Sequence, residues 1–278
     1  MSGMTEDRAP GGEPLAERLV RIAAVGDLHF DPSGRGGFAD IFTRASREAE
    51  VLALCGDLTT HGRLEQMQAF VDELAAVEVP IVAVLGNHDF EGDDPSLLAE
   101  VLRDRGVTVL DGTAAVIHGV GFVGTKGFAG GFGRGALAPF GEPLIKAFVQ
   151  ASIDESLKLE NALRTMTAPT RVVLMHYSPI TATLEGEPEY IYPFLGSSRL
   201  LEPLETYGAT VIFHGHAHNG TPEGRTPQGI PVFNVALPLL RKHGMDYRVW
   251  EVRAPERRGA AQQGGGRGGG QAGGQAAD

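Results

Sequence analysis

The sequence predicts an α/β fold, and three observations carry that prediction. Arg21 to Val25, Val51 to Leu54 and Ile81 to Leu85 are short apolar runs that end at or near a glycine, as buried strands do. The residues after those glycines, Asp27, Asp57 and Asn87, recur at intervals of thirty positions (57 − 27 and 87 − 57), about one strand–helix–strand unit each. Between the second and third runs, Leu64, Met67, Phe70, Val71, Leu74 and Val77 recur at helical spacing, so the intervening segment is an amphipathic helix. Strands joined through helices pair in parallel by right-handed crossovers.

The remaining elements follow in order. Residues 1–18 are a polar lead-in without a strong pattern. Pro95 with Leu97, Leu98, Val101 and Leu102 marks another helix. Val107 to Leu110, Ala114 to Ile117 and Val120 to Val123 are strand-like, and the turns Asp111-Gly112 and Gly119 predict hairpins in a sheet that is no longer purely parallel. A glycine-rich stretch at 124–143 leads into a long helix from about Leu144 to Met166. Arg171 to Met175 is a strand ending at His176, 177–198 a long loop, Leu200 to Tyr207 a short helix, and Thr210 to Phe213 a strand ending at a histidine cluster. Val232 to Val235 and Tyr247 to Val252 are closing strands. The tail from Gly259 has nine glycines and no large apolar side chain, a composition that cannot offset its chain entropy, and disorder is expected there. The organisation expected is a lead-in (1–18), one domain (19–255) and a Gly-rich tail (256–278).

A chain of 278 residues with 42% apolar content can bury a substantial core. Its net charge of −11 opposes a nucleic-acid backbone or an anionic membrane as partner. The single cysteine, Cys55, excludes an intrachain disulfide and, set in an apolar run, reads as a buried thiol. The first twenty residues are polar and no run approaches the ~20 apolar residues that span a bilayer; a soluble, cytoplasmic protein is the expectation.

Five short signatures sit where strands end: Gly26-Asp27-Leu28-His29, Gly56-Asp57-Leu58, Gly86-Asn87-His88-Asp89, His176, and Gly215-His216-Ala217-His218. Asp-x-His and His-x-His are two-ligand clips, because alternate side chains in a loop can turn toward one ion. Asp57 has two oxygens and can bridge two cations, and Asn87 offers a carbonyl oxygen. Carboxylate, amide oxygen and imidazole together suit divalent metals, with enough ligands for two ions. His88 is free to carry a proton, with Asp89 placed to orient or stabilise its imidazole. Open α/β sheets gather ligands at the carboxyl ends of their strands. Arg134, in the glycine-rich stretch, is a candidate phosphate contact. Tyr177, with Tyr190, Tyr192 and Phe194, is a candidate lining for a base or aryl group. His61, His118, His214 and His243 read as structural.

In motif order, residues 21–253 resemble the calcineurin-like metallophosphoesterase superfamily, and its class III cyclic-nucleotide phosphodiesterases in particular. The resemblance implies a four-layer α/β/β/α sandwich of two mixed sheets flanked by helices. It implies that Asp27, His29 and His218 hold one metal, that Asn87, His176 and His216 hold the other, and that Asp57 bridges. It places His88 beside the scissile phosphate. The cofactors implied are two divalent ions, manganese, iron or zinc, and the partner is a small-molecule phosphoester. The activity implied is phosphodiester hydrolysis by in-line attack of a metal-bridging hydroxide, with cyclic nucleotides among the candidates. Phosphomonoesterase or nucleotide pyrophosphohydrolase activity, or a catalytically silent metal-stabilised scaffold, are the alternatives.

Overall fold

The computed structural model describes residues 17–34 and 37–255. In chain order it runs β1 (Glu17–Val25), α1 (Ala39–Glu48), β2 (Val51–Cys55), α2 (Leu64–Glu73), β3 (Ile81–Val84), α3 (Pro95–Asp104), β4 (Thr108–Val109), β5 (Thr113–Ile117), β6 (Val120–Gly124) and α4 (Pro143–Thr165). It continues through β7 (Arg171–Leu174), α5 (Tyr192–Leu195), α6 (Leu201–Tyr207), β8 (Val211–His214), β9 (Glu223–Arg225), β10 (Pro231–Asn234), α7 (Leu237–Lys242) and β11 (Arg248–Pro255).

These strands form two mixed sheets. The first has the order β11-β1-β2-β3-β4 and the second β5-β6-β7-β8-β10-β9. The two β-α-β units expected from the thirty-residue spacing make β1, β2 and β3 parallel neighbours, and a third unit through α3 adds β4 in parallel. β11 returns antiparallel to β1 over eight pairs, from Glu17↔Pro255 to Ala24↔Arg248. β1 therefore starts at Glu17, and the last two residues of the expected lead-in are strand; residues 1–16 and the Gly-rich tail lie outside the described residues.

Alternation along the second sheet shows how the layers stack. Phe122, Val172, Leu174, Val211, Phe213 and Phe233 join the core of the first sheet. Their neighbours Val123, Val173, Met175, Ile212 and Val232 turn the other way, onto Leu159 and Leu163 of α4 and Leu204 of α6. The two sheets thus face each other, and helices cover the outside. On the first sheet Phe42, Met67, Phe70, Leu98 and Leu102 of α1–α3 supply the cover. Each fully buried side chain of this size contributes about 1.5–3 kcal/mol.

Two turns behave differently from each other. His118 (φ 52°) and Gly119 (φ 80°) form the expected hairpin between β5 and β6. Asp111-Gly112 does not make a hairpin, because β4 and β5 belong to different sheets. The chain crosses between layers there, and a Gly112 N–H···O bond to Gly124 pins the crossing to the end of β6. Among the described residues, no helix is long and apolar enough to cross a membrane.

Candidate metal centre

The carboxyl ends of β1, β2 and β3 in one sheet and of β7 and β8 in the other meet at one place. Asp27, His29, Asp57, Asn87, His176, His216 and His218 all converge there. One group of donors is Asp27, His29 and His218; a second is Asp57, His176 and His216; a third is His29, Asp57 and His88, and within each the donor atoms lie within 4.8 Å of one another. His218 Nε2 is 2.8 Å from Asp27 Oδ1 and 3.5 Å from His29 Nε2. His176 Nε2 is 2.9 Å from Asn87 Oδ1, 3.1 Å from His216 Nδ1 and 3.3 Å from Asp57 Oδ1. The other oxygen of Asp57 faces the first group, 3.8 Å from His29 Nε2. Asp57 therefore stands between the two sets.

The backbone is forced into this geometry. Asp27 (φ 53°), His29 (φ 44°), Asp57 (φ 49°) and His216 (φ 71°) all occupy the left-handed region that non-glycine residues avoid. Such strain collects at functional sites, where surrounding contacts over-determine it. Backbone bonds join the loops: Asp27 N–H donates to Gly56 O, and His29 N–H to Asp57 O. Two glycines allow the close approach. A Cβ on Gly86 would lie 2.1 Å from Asp57 Oδ1, and one on Gly215 would lie 2.1 Å from Asp27 Oδ2. Carbonyl groups hold the buried rings: Cys55 O lies 3.0 Å from His176 Nδ1, and Phe194 O 3.2 Å from His216 Nε2.

The electrostatics are those of crowded donors. Burial opposes a charge on His176, yet the Asp57 carboxylate beside it lifts the imidazole to about 9. Asp57 is driven the opposite way: burial would raise it, but His176 and the His88 N–H hold it well below the usual carboxylate range. His216 is pushed down to about 3 by burial and by His176. His29 is lowered by burial, while the bond to Asp27 raises His218.

Residues 20–220 match the family model described as calcineurin-like phosphoesterase. The chain belongs to the calcineurin-like phosphoesterase family. Among solved structures, a phosphopantetheinyl hydrolase from Mycobacterium tuberculosis is similar at a TM-score of 0.62 and 15% identity, over 83% of this chain and 95% of that one. A candidate 5′-nucleotidase from Staphylococcus aureus is similar at a TM-score of 0.50 and 15% identity, over 85% of this chain and 51% of that one. At these identities the likeness is one of fold. A search of curated proteins returned no match.

The donor set fits the metal dependence of calcineurin-like phosphoesterases. Bonds of ~2.1 Å to one ion put neighbouring donors ~3.0–3.4 Å apart. The spacings here run from 2.8 to 3.8 Å, and ring nitrogens that face each other directly, as His176 Nε2 and His216 Nδ1 do, are favourable together with either a proton or an ion between them. His88 stands at the rim, with its side chain 34% exposed. Its Nδ1 lies 2.9 Å from Thr60 O and its Nε2 4.0 Å from Asp57 Oδ2, so a proton on Nδ1 is bound to the backbone and Nε2 faces the centre.

Asp89 is placed differently from the expectation. It does not orient the His88 imidazole. It is fully buried, and its carboxylate accepts from Leu58 N, Thr59 N, Thr59 Oγ1 and Gly86 N at 2.8–3.1 Å. The 3-10 turn His88–Phe90 points consecutive side chains apart, which sends Asp89 into the protein as His88 faces out. Glu91, one turn on, takes the place beside the imidazole, 3.2 Å from Nδ1. Arg134 lies outside the cluster, exposed in the turn Gly133–Gly135. Tyr177 packs against His216 and His176, with ring centroids 4.4 and 5.5 Å away. Tyr190 and Phe194 are exposed. His214 turns away from the centre as alternation requires, bonding to Thr183 Oγ1 at 2.8 Å.

Sequence reasoning missed Glu91 and two lysines. Lys242 Nζ caps the last clip at His218 O and Asn219 Oδ1, and Lys126 holds His176 through its backbone carbonyl. None belongs to a short motif; Glu91 lies two residues past Asp89, whereas Lys126 and Lys242 lie far along the chain from the residues they touch, so no local signal marks them.

Proposed function

We propose that this protein is a dinuclear metal-dependent phosphoesterase whose preferred substrates are small-molecule phosphodiesters, with cyclic nucleotides as candidates. The observation that carries this reading is the division of Asp57 between two donor groups, Oδ1 toward His176 and Oδ2 toward His29. Asp27, His29 and His218 would hold one divalent ion, Asn87, His176 and His216 the other, and Asp57 both. Two such ions supply a nucleophile at neutral pH and neutralise phosphate charge. Mixed nitrogen and oxygen ligation suits manganese, iron or zinc.

The chain's own residues do the rest. The Cys55 and Phe194 carbonyls fix the ring orientation of His176 and His216, the outer contact that sets the tautomer of a metal-binding imidazole. His88 presents Nε2 at the rim, where it can carry a proton to a phosphoryl oxygen or to the departing alkoxide. A diester carries one negative charge where a monoester carries up to two. Arg134, the candidate guanidinium fork for a doubly charged phosphate, lies outside the donor cluster. This supports the diester preference.

The test is hydrolysis of bis-p-nitrophenyl phosphate, p-nitrophenyl phosphate and 2′,3′- and 3′,5′-cyclic nucleotides after chelation and reconstitution with each metal. Phosphopantetheinyl diesters join the panel because of the structural likeness. Diester turnover that disappears with chelation and returns with two ions per chain is expected. A reconstituted protein that turns over only the monoester would refute the diester preference, and one that binds two ions without turning over any phosphoester would refute the enzyme.

A further inference from the structure

Beside the metal centre, α3, the end of β4 and the segments that follow β3 and β6 line a cavity of about 220 Å³. Leu85, Phe90, Ala99 and Leu110 give it apolar walls, and its charged lining is Lys126 and Arg103 together with the paired Lys158 and Asp111. Phe90 ends the 3-10 turn that begins at His88, so the cavity adjoins the rim where the substrate phosphorus would sit. Leu85 immediately precedes the Gly86-Asn87 motif.

Lys126 links this cavity to the centre. Its carbonyl accepts the N–H groups of His176 and Tyr177 at 3.0 and 3.1 Å, which fixes its backbone to a metal-ligand residue. Its ammonium sits over three rings, Phe90 at 5.0 Å, Phe128 at 4.9 Å and Tyr177 at 5.3 Å. It donates to Gly127 O at 2.9 Å. Among the described residues no carboxylate forms an ion pair with it. The nearby acids are engaged: Glu155 accepts from Thr125 Oγ1, Gly127 N and Lys158, and Asp111 accepts from Lys158. Rings stabilise a cation only partly. A half-buried ammonium with N–H groups to spare therefore gains from an anion delivered through the cavity.

We propose that this cavity is a subsite for the non-reacting arm of the substrate, taking a flat apolar group that carries an oxyanion onto Lys126. The proposal rests on the phosphoester reading, since it requires the phosphorus at the metal centre. Benzylphosphonate and 4-(phosphonomethyl)benzoate differ only by a carboxylate at the far end of the ring. Calorimetric titration of the manganese-loaded protein with each should show the carboxylated probe binding about tenfold tighter or more, the gain of one charge-assisted hydrogen bond. Lys126→Met should bring the two affinities within about twofold of each other, and Lys126→Arg should keep most of the preference. Equal affinities in the unaltered protein, or a preference that survives Lys126→Met, would overturn the subsite alone. Failure of the manganese-loaded protein to bind either phosphonate would overturn the phosphoester reading and the subsite with it.

Discussion

Asp89 offers the sharpest test of the site's construction. In the structure it ties the loop after β2 to the loop after β3: three backbone N–H groups and one hydroxyl, from Leu58, Thr59 and Gly86, converge on its buried carboxylate. Burial and the neighbouring Asp57 charge push its carboxyl above the ordinary value, against the pull of those donors. Asp89→Ala removes every acceptor at once. Each buried donor left unpaired costs about 1–3 kcal/mol, and water entering the vacated space favours the low end, so the loss is about 4 kcal/mol. For a chain of this size, about 2–4 °C per kcal/mol converts this to a fall in melting temperature of ~8–16 °C. Asp89→Asn, which keeps the volume and one acceptor oxygen, should fall between. The assay is thermal unfolding followed by circular dichroism, with and without manganese. An Asp89→Ala melting temperature within about 2 °C of the parent would refute the clamp.

Four further outcomes follow from the same geometry. Elemental analysis should find about two ions in the parent, about one in His218→Ala, and less than one in Asp57→Asn, because only Asp57 is shared; equal losses in the two variants would contradict the bridging position. His88→Ala should retain metal while turnover falls about 10²–10⁴-fold, the usual worth of a proton-transferring group; unchanged turnover would remove His88 from the chemistry. Gly86→Ala, whose Cβ would lie 2.1 Å from Asp57 Oδ1, should lower metal content with little change in far-ultraviolet circular dichroism, and normal loading would show that the loop gives way. Chelated protein should also be pH-sensitive. His176 is lifted to about 9 in the fold, above its ordinary value of ~6.5, so the stability it contributes is complete below ~6.5 and is lost as pH rises through about 9. Asp57→Asn should flatten that decline, and a flat profile in the parent would count against the His176–Asp57 pair.

The candidate metal ligands were legible because each follows an apolar run, and the carboxyl ends of neighbouring parallel strands share an edge. Asp27, Asp57 and Asn87 could be placed together by periodicity alone. His176 and the His216/His218 clip follow later strands by the same logic, although nothing in their spacing says that a second sheet will face the first. The local pattern misled where direction mattered. Adjacency in sequence predicts that Asp89 orients the His88 imidazole, yet residues adjacent in a tight turn point apart. Asp111-Gly112 has the composition of a hairpin turn and instead carries the chain from one sheet to the other.

Ligand chemistry, strand order within each β-α-β unit and the family were thus written in the amino-acid sequence, because periodicity and motif spacing are local properties of the chain. Tertiary structure alone decided which carbonyl groups hold the histidine rings, which carboxylate clamps the loops, and that Lys126 sits among three rings at the edge of a cavity. Those contacts join residues tens of positions apart across two sheets, and no local spacing records how two sheets will face each other.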